Sequence, residues 1–198
     1  MRCFIGLDLG PSTKLALCEW QQRAFPQVKN RKVSNDSLGS SFPYAIPAAN
    51  YHLTLCFLGQ LSPRQHESLI ANLDAISHPP FSVTLNHAGF WQRPKILFAA
   101  PTETPSLLPE LAKKIRKAAR GAGIAMEKQE FKPHVTVARK ATSELLPPLT
   151  LPEITVPFDA FHLFESVSTS SGVCYPIRQS WELQPDLSIR ERLRQGIY

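Results

Sequence analysis

At 198 residues, with 43% hydrophobic positions, the chain can bury an ordinary core in one domain or two small lobes, which excludes a disordered polypeptide. The balance of 22 basic against 16 acidic residues gives a formal charge of +6, which favours an anionic partner without naming it. Cys3, Cys18, Cys56 and Cys174 lack paired metal-ligand spacing, the N-terminal apolar run is too short for a signal peptide and no segment approaches a membrane span, so a soluble cytoplasmic protein with free thiols is expected.

Cys3 to Leu9 reads as a buried strand. Gly10-Pro11 opens a helix to about Arg23. Residues 24–50 lose periodicity and collect Pro26, Asn30, Gly39, Pro43 and Pro47, the composition of a long surface loop. A strand follows from Tyr51 to about Gly59. Ser62-Pro63 supplies a cap and a first-turn proline for a helix whose buried stripe is Leu69, Leu73 and Ile76, and His78-Pro79-Pro80 stops it. Phe81–Leu85 and Lys95–Ala100 read as a strand pair joined through residues 87–94. Leu108, Leu111, Ile115 and Ala119 mark one side of a helix from Ser106 to Ala122, ended by Gly121 and Gly123. A strand from Phe131 to Arg139 tolerates Pro133 near its start. A Pro-rich connector at 147–152 then leads to strands near 154–165 and 173–183. The order implies an internally duplicated, bilobal α+β fold: two antiparallel sheets face a central groove, with helices packed outside. Residues 1–183 form the domain and 184–198 a tail.

Two of these strands carry one pattern. Tyr51-His52-Leu53-Thr54-Leu55 and Pro133-His134-Val135-Thr136-Val137 each place a histidine and a threonine at i and i+2, on one face of a strand. Facing one another across a groove, they would surround a small anion with two imidazoles and two hydroxyls. Opening a phosphodiester with water needs one base to take a proton from water and one acid to give a proton to the leaving oxygen. Histidine suits both tasks because its unperturbed pKa is about 6.5. The threonine hydroxyls can donate to non-bridging oxygens, and Arg139 can add a charge-assisted contact. This design requires no cofactor and no divalent cation.

The paired motifs, with Phe57-Leu58-Gly59 after the first and Arg139 after the second, resemble the two-histidine (2H) phosphoesterases, and most closely their RNA 2′,3′-cyclic phosphodiesterase branch, once described as 2′-5′ RNA ligases. Gly89-Phe90, Arg93-Pro94, Phe131-Lys132-Pro133, Glu165-Ser166, Gly172, Tyr175 and Trp181-Glu182-Leu183 extend the likeness over about residues 2–183. The resemblance implies a hydrolase acting on RNA ends or small cyclic nucleotides as a monomer without an obligate protein partner. It implies catalytic residues His52, as proton donor, and His134, as proton acceptor, with Thr54, Thr136 and Arg139 binding substrate and a 2′-phosphomonoester as product. Running the reaction backwards exchanges the two histidines and accounts for the ligase-like activity attributed to such proteins. The 24–50 loop is longer and more polar than the family's connection, and the tail, with Arg190, Arg192 and Arg194, has no family counterpart.

Other features have plainer explanations. Single strand histidines are usually structural, which is the reading for His66, His78, His87 and His162. Arg139, five residues past His134, falls on the opposite face of a regular strand, so a phosphate role needs a bulge, twist or strand end. Cys56 shares phase with His52 and reads as groove wall. Lys113, Arg116, Lys117 and Arg120 form a basic stripe, in first place a solvated helix face and in second an RNA-steering surface. Tyr51, Phe57, Trp91 and Tyr175 are candidates for base stacking or for core, Trp91 being the least core-like. The competing functions are a non-catalytic RNA-binding module on the same fold and a metal hydrolase ligated by the two histidines. The second lacks a third ligand at suitable spacing.

Overall fold

The chain folds as a run of strands interrupted by three helices, seen in a computed structural model that describes residues 1–30, 42–126, 130–142, 148, 150–170 and 172–184. In order these are β1 (Arg2–Asp8), α1 (Pro11–Ala24), β2 (Lys29–Asn30), β3 (Tyr44–Ala45), a 3-10 turn (Ala48–Asn50), β4 (His52–Gln60), α2 (Pro63–Asp74), β5 (Phe81–Leu85), β6 (His87–Trp91), β7 (Ile96–Ala100), α3 (Leu107–Gly121), β8 (Val135–Arg139), β9 (Ile154–Phe158), β10 (Ala160–Glu165), β11 (Val167–Thr169), β12 (Gly172–Cys174) and β13 (Ile177–Glu182). Local chemistry explains the helix starts. Pro11 occupies the first turn of α1. Ser62 and Gln65 form a reciprocal capping box on α2, satisfying donors that would otherwise be orphaned. On α3, Leu108, Leu111, Ala112, Ile115 and Ala119 are buried, the stripe expected of an amphipathic helix.

Nine strands join in one sheet, ordered β13-β10-β1-β4-β8-β3-β2, with β7 on the other edge of β8 and β6 beyond it. Two lobes meet where β4 and β8 share one antiparallel pair, Leu53 opposite Val135. The strands then part, and β3 takes the place of β4 along the far half of β8, pairing Tyr44 with Arg139 and Ala45 with Ala138. The groove expected between the two motif strands falls at this junction, where they pair. The main core lies behind the sheet, where Leu7, Leu53, Leu55, Val135 and Val137 pack with Leu17, Leu69, Leu111 and Ile115 of the helices.

Several elements differ from the sequence reading. His87–Trp91 is a strand, antiparallel to β7, and not a connection; the segment's glycine and histidine disguise its pairing. Phe81–Leu85 pairs instead with β9 in a separate two-stranded sheet. The regular part of the second motif strand begins at Val135, not Phe131. Within 24–50, β2, β3 and the 3-10 turn interrupt the expected loop, and residues 31–41 lie outside the described residues, as does the tail from 185 onward. The basic stripe rides on α3, whose buried side meets the back of β4, so it faces away from the groove.

Candidate active site

The Leu53–Val135 pair sets the site. Continuing its antiparallel register one residue each way puts His52 opposite Thr136 and Thr54 opposite His134. All four then project from the face opposite to the buried Leu53 and Val135. The four side chains foreseen in the sequence are thus brought together, and all are half-buried.

Each motif strand then carries a β-bulge at the same place. Against β1, Thr54 pairs with Gly6 but Cys56 pairs with Ile5, so Leu55 is the extra residue. Against β7, Thr136 pairs with Phe98 but Ala138 pairs with Leu97, so Val137 is extra. A bulge admits two consecutive residues on one face and resets the phase of the strand beyond it. Leu55 and Cys56 are both buried, as are Val137 and Ala138. Arg139 therefore returns to the face of His134 and Thr136, which removes the objection to a phosphate role. By the same shift Cys56 leaves the groove face: its thiol contacts the Met126 sulfur in the core, and burial pushes its pKa up to about 11. The expectation of a groove-wall cysteine is corrected by the bulge.

Both imidazoles are anchored alike. His52 Nδ1 meets the Asn50 carbonyl at 2.7 Å, and His134 Nδ1 meets the Lys132 carbonyl at 2.8 Å, in each case two residues upstream. A carbonyl only accepts, so Nδ1 carries the proton and Nε2 is the nitrogen left for chemistry in the neutral ring. Asn50 does more: its side-chain amide donates to the Val173 carbonyl at 2.7 Å, tying the β11–β12 hairpin to the turn that holds His52.

Aromatic rings pack against each histidine. The His52 ring lies 4.6 Å from Phe4 and 5.0 Å edge-on from Tyr175. That of His134 lies 4.5 Å from Trp91 and 5.8 Å from Phe98. A glycine makes room in each lobe. A Cβ on Gly6 would fall 3.3 Å from Phe164 and 3.5 Å from Phe4, and one on Gly89 would run into the Phe98 ring. Spacing alone does not reveal these supports, although Gly89-Phe90 is among the residues that carry the family likeness.

Electrostatics favour neutral imidazoles until an anion arrives. Burial pushes His52 from its usual 6.5 to about 4, helped by the charges of His134, Arg139 and Lys14 and opposed by the Asn50 carbonyl. Burial also lowers His134, with Arg139 acting in the same sense and the Lys132 carbonyl against it. Arg139 thus acts on both rings. Lys14 reaches the site through Asp8, which pairs with it at 2.5 Å and sits opposite His52 in register. A bound phosphate would reverse these shifts, because opposite charge favours the protonated ring. Among the described residues no group of three or more His, Cys, Asp or Glu side chains is placed to hold a metal ion.

The remaining histidines separate. His78 is buried, with Nδ1 on the Pro79 carbonyl, a structural role. His66 is half-buried and His87 exposed. His162, opposite Gly6, shares the groove face and bonds Ser180 Oγ at 2.8 Å. Of the stacking candidates, Tyr51 is buried at 1% exposure whereas Phe57 is 67% exposed.

Comparison with known proteins bears on the family and the fold. The 2'-5' RNA ligase superfamily matches residues 20–170. An RNA 2',3'-cyclic phosphodiesterase of Escherichia coli K12 is 30% identical over 148 residues, covering 74% of this chain and 77% of the relative. One of Thermotoga maritima is 25% identical over 187 residues, covering 89% and 92%. The crystal structure of E. coli LigT complexed with 3'-AMP superposes with a TM-score of 0.79 at 26% identity, covering 93% of this chain and 98% of that one. The chain belongs to the 2'-5' RNA ligase superfamily.

Proposed function

We propose that this chain is an RNA 2′,3′-cyclic phosphodiesterase in which His52 is the general acid, His134 the general base, and Thr54, Thr136 and Arg139 hold the phosphate. The observation that carries the reading is the quartet on one face, with two histidines of the same tautomer at its diagonal corners, an arrangement suited to one small anion between them. The names of its relatives support the substrate class. The 3'-AMP bound by LigT supports a nucleotide end as the group that enters the groove.

In the proposed reaction, water attacks phosphorus and gives its proton to His134 Nε2 as the new P–O bond forms. The P–O3′ bond breaks, and the departing oxygen takes a proton from His52 Nε2. The product is a 2′-phosphomonoester beside a free 3′-hydroxyl. Negative charge gathering on the non-bridging oxygens meets the two hydroxyls and the guanidinium, donors already in place before reaction. The substrate's own charge raises the pKa of His52 and lets it enter the cycle protonated. We take the enzyme to act as a cytoplasmic monomer, without cofactor or resident metal. The test is hydrolysis of a short RNA ending in a 2′,3′-cyclic phosphate, in excess chelator, with the product isomer identified. A 2′-phosphate formed at an undiminished rate supports the reading, and a 3′-phosphate or abolition by chelator overturns it.

A further inference from the structure

The two lobes treat their histidines alike, down to the carbonyl two residues upstream, the packed rings and the bulge beyond. They differ in the ion pair that stands beside each. Next to His52, Lys14 pairs with Asp8, and the two side chains are only 17% and 22% exposed. Next to His134, Lys132 pairs with Glu130 at 3.2 Å, and these side chains are 61% and 77% exposed. Water screens an exposed pair and lets it come apart, whereas a half-buried pair keeps its place and its field.

The inner pair is tied to the first motif strand from two directions. Asp8 faces His52 in the register of β1 and β4, and its second oxygen accepts from the Gly10 amide at 3.1 Å, which fixes the carboxylate at the entry to α1. Lys14 Nζ, an ammonium with three protons to donate, also reaches the Ala49 carbonyl at 3.4 Å. Ala49 lies in the 3-10 turn Ala48–Asn50, whose last carbonyl orients His52 Nδ1. Lys14 therefore bridges the strand that faces His52 and the turn that holds it. The charged and titratable groups around the ring are His134 and Arg139 from β8, Asp8 from β1, His162 from β10, Lys14 from α1 and Tyr175 after β12. Of the two cations, Arg139 acts on both catalytic rings and Lys14 on His52 but not His134. A fixed cation makes an imidazolium a stronger acid, which suits the ring that gives its proton to a leaving oxygen.

We propose that Lys14, held by Asp8, is the positioning residue of the general acid: its ammonium steadies the turn that orients His52 and gives that ring alone a second fixed cation. The proposal rests on the functional reading above and deepens it, since the half-buried pair supplies a physical reason for two otherwise matched histidines to take different tasks. Lys14 acts through His52, so its removal weakens the step in which the leaving oxygen is protonated.

The test compares wild type with Lys14→Met, which keeps the apolar stem without the charge, and Lys14→Arg, which keeps the charge. NMR titration of the free proteins is expected to show the His52 pKa raised in Lys14→Met, the His134 pKa unmoved, and both at wild-type values in Lys14→Arg. On RNA ending in a 2′,3′-cyclic phosphate, kcat is expected to fall about 3- to 10-fold in Lys14→Met and to return in Lys14→Arg. With sulfur in place of the 3′ bridging oxygen the leaving group needs no proton, so Lys14→Met and wild type are expected to turn over alike. An equal loss on both substrates, a common shift of both histidines, or an unmoved His52 overturns the proposal and leaves Lys14 a support of the fold only. The titration needs no turnover and so separates the two readings. Wild type inert on both substrates, with His52 alone shifted in Lys14→Met, defeats the functional reading while the hold of Lys14 on His52 stands; wild type active with His52 unmoved defeats the proposal alone.

Discussion

Replacing Gly6 by alanine tests how closely the fold supports the chemistry. Gly6 lies in β1 opposite Thr54 on one side and His162 on the other, and only its hydrogen separates Phe4 from Asp8 along the groove face. The His52 ring leans across that gap to within 4.6 Å of Phe4. A Cβ there would sit 2.9 Å from the Leu53 carbonyl oxygen, besides pressing on the Phe164 and Phe4 rings. The carbonyl is backbone, in the motif strand itself, so relief requires β1 and β4 to part by a few tenths of an ångström. Overpacking of this kind costs about 1–3 kcal/mol, which for a chain of this size lowers Tm by roughly 2–12 °C. The larger effect is on rate. Moving Leu53 moves its neighbour His52, and since a misplacement on the order of 1 Å costs about 100-fold, a shift of a few tenths of an ångström should lower kcat by roughly 3- to 10-fold. Differential scanning calorimetry and single-turnover hydrolysis of a cyclic-phosphate RNA read the two effects separately. A Gly6→Ala protein with wild-type Tm and wild-type kcat would mean that the close approach of β1 to β4 does not govern the position of His52.

The two imidazoles define the pH behaviour. His52 acts protonated with a value of about 4 in the free protein, so kcat/KM declines as pH rises past it. His134 acts neutral with its value held below 6.5, so kcat/KM declines as pH falls through that value. The free-enzyme bell is therefore centred on the acid side of pH 6.5, and the kcat profile of the phosphate-bound enzyme is displaced upward; coincident profiles would contradict this. The unfolded chain binds more protons than the folded one between pH 6.5 and about 4 because His52 is held neutral, so thermal stability should decrease as pH is lowered through that window. Arg139→Ala should raise the pKa of both histidines, seen by NMR titration, and cost about 10- to 150-fold in kcat/KM through loss of a charged hydrogen bond. Asn50→Ala keeps the carbonyl that orients His52 but cuts the strap to Val173. It should cost about 0.5–1.5 kcal/mol and speed amide exchange in the β11–β12 hairpin.

The chemistry is easier to read from the sequence than the architecture around it. His52, Thr54, His134 and Thr136 are legible because a strand fixes i and i+2 on one face whatever the tertiary setting. The bulges are not, and they decide the places of Arg139, Cys56 and Phe57. Their trace in the sequence is the break in alternation at Leu55-Cys56 and Val137-Ala138, two consecutive apolar residues before Phe57 and Arg139. Helices α2 and α3 announce themselves through caps and apolar stripes, which are local. The partners of β5 and β6 do not: Phe81–Leu85 alternates cleanly, but its mate, β9, arrives only after α3 and β8, and β6 hides a strand behind Gly89. The supports at Gly6 and Gly89 depend on ring positions that no spacing rule contains.

The division of labour between the histidines can be separated by the leaving atom. Wild type, His52→Ala and His134→Ala would be compared on an RNA ending in the 2′,3′-cyclic phosphate and on its analogue with sulfur at the 3′ bridging position, whose thiolate departs without a proton. Each variant is expected to lose orders of magnitude on the oxygen substrate, and sulfur is expected to restore most of the rate to His52→Ala alone. Rescue of His134→Ala instead would reverse the acid and base, and full activity in either variant on the oxygen substrate would contradict the two-histidine mechanism itself.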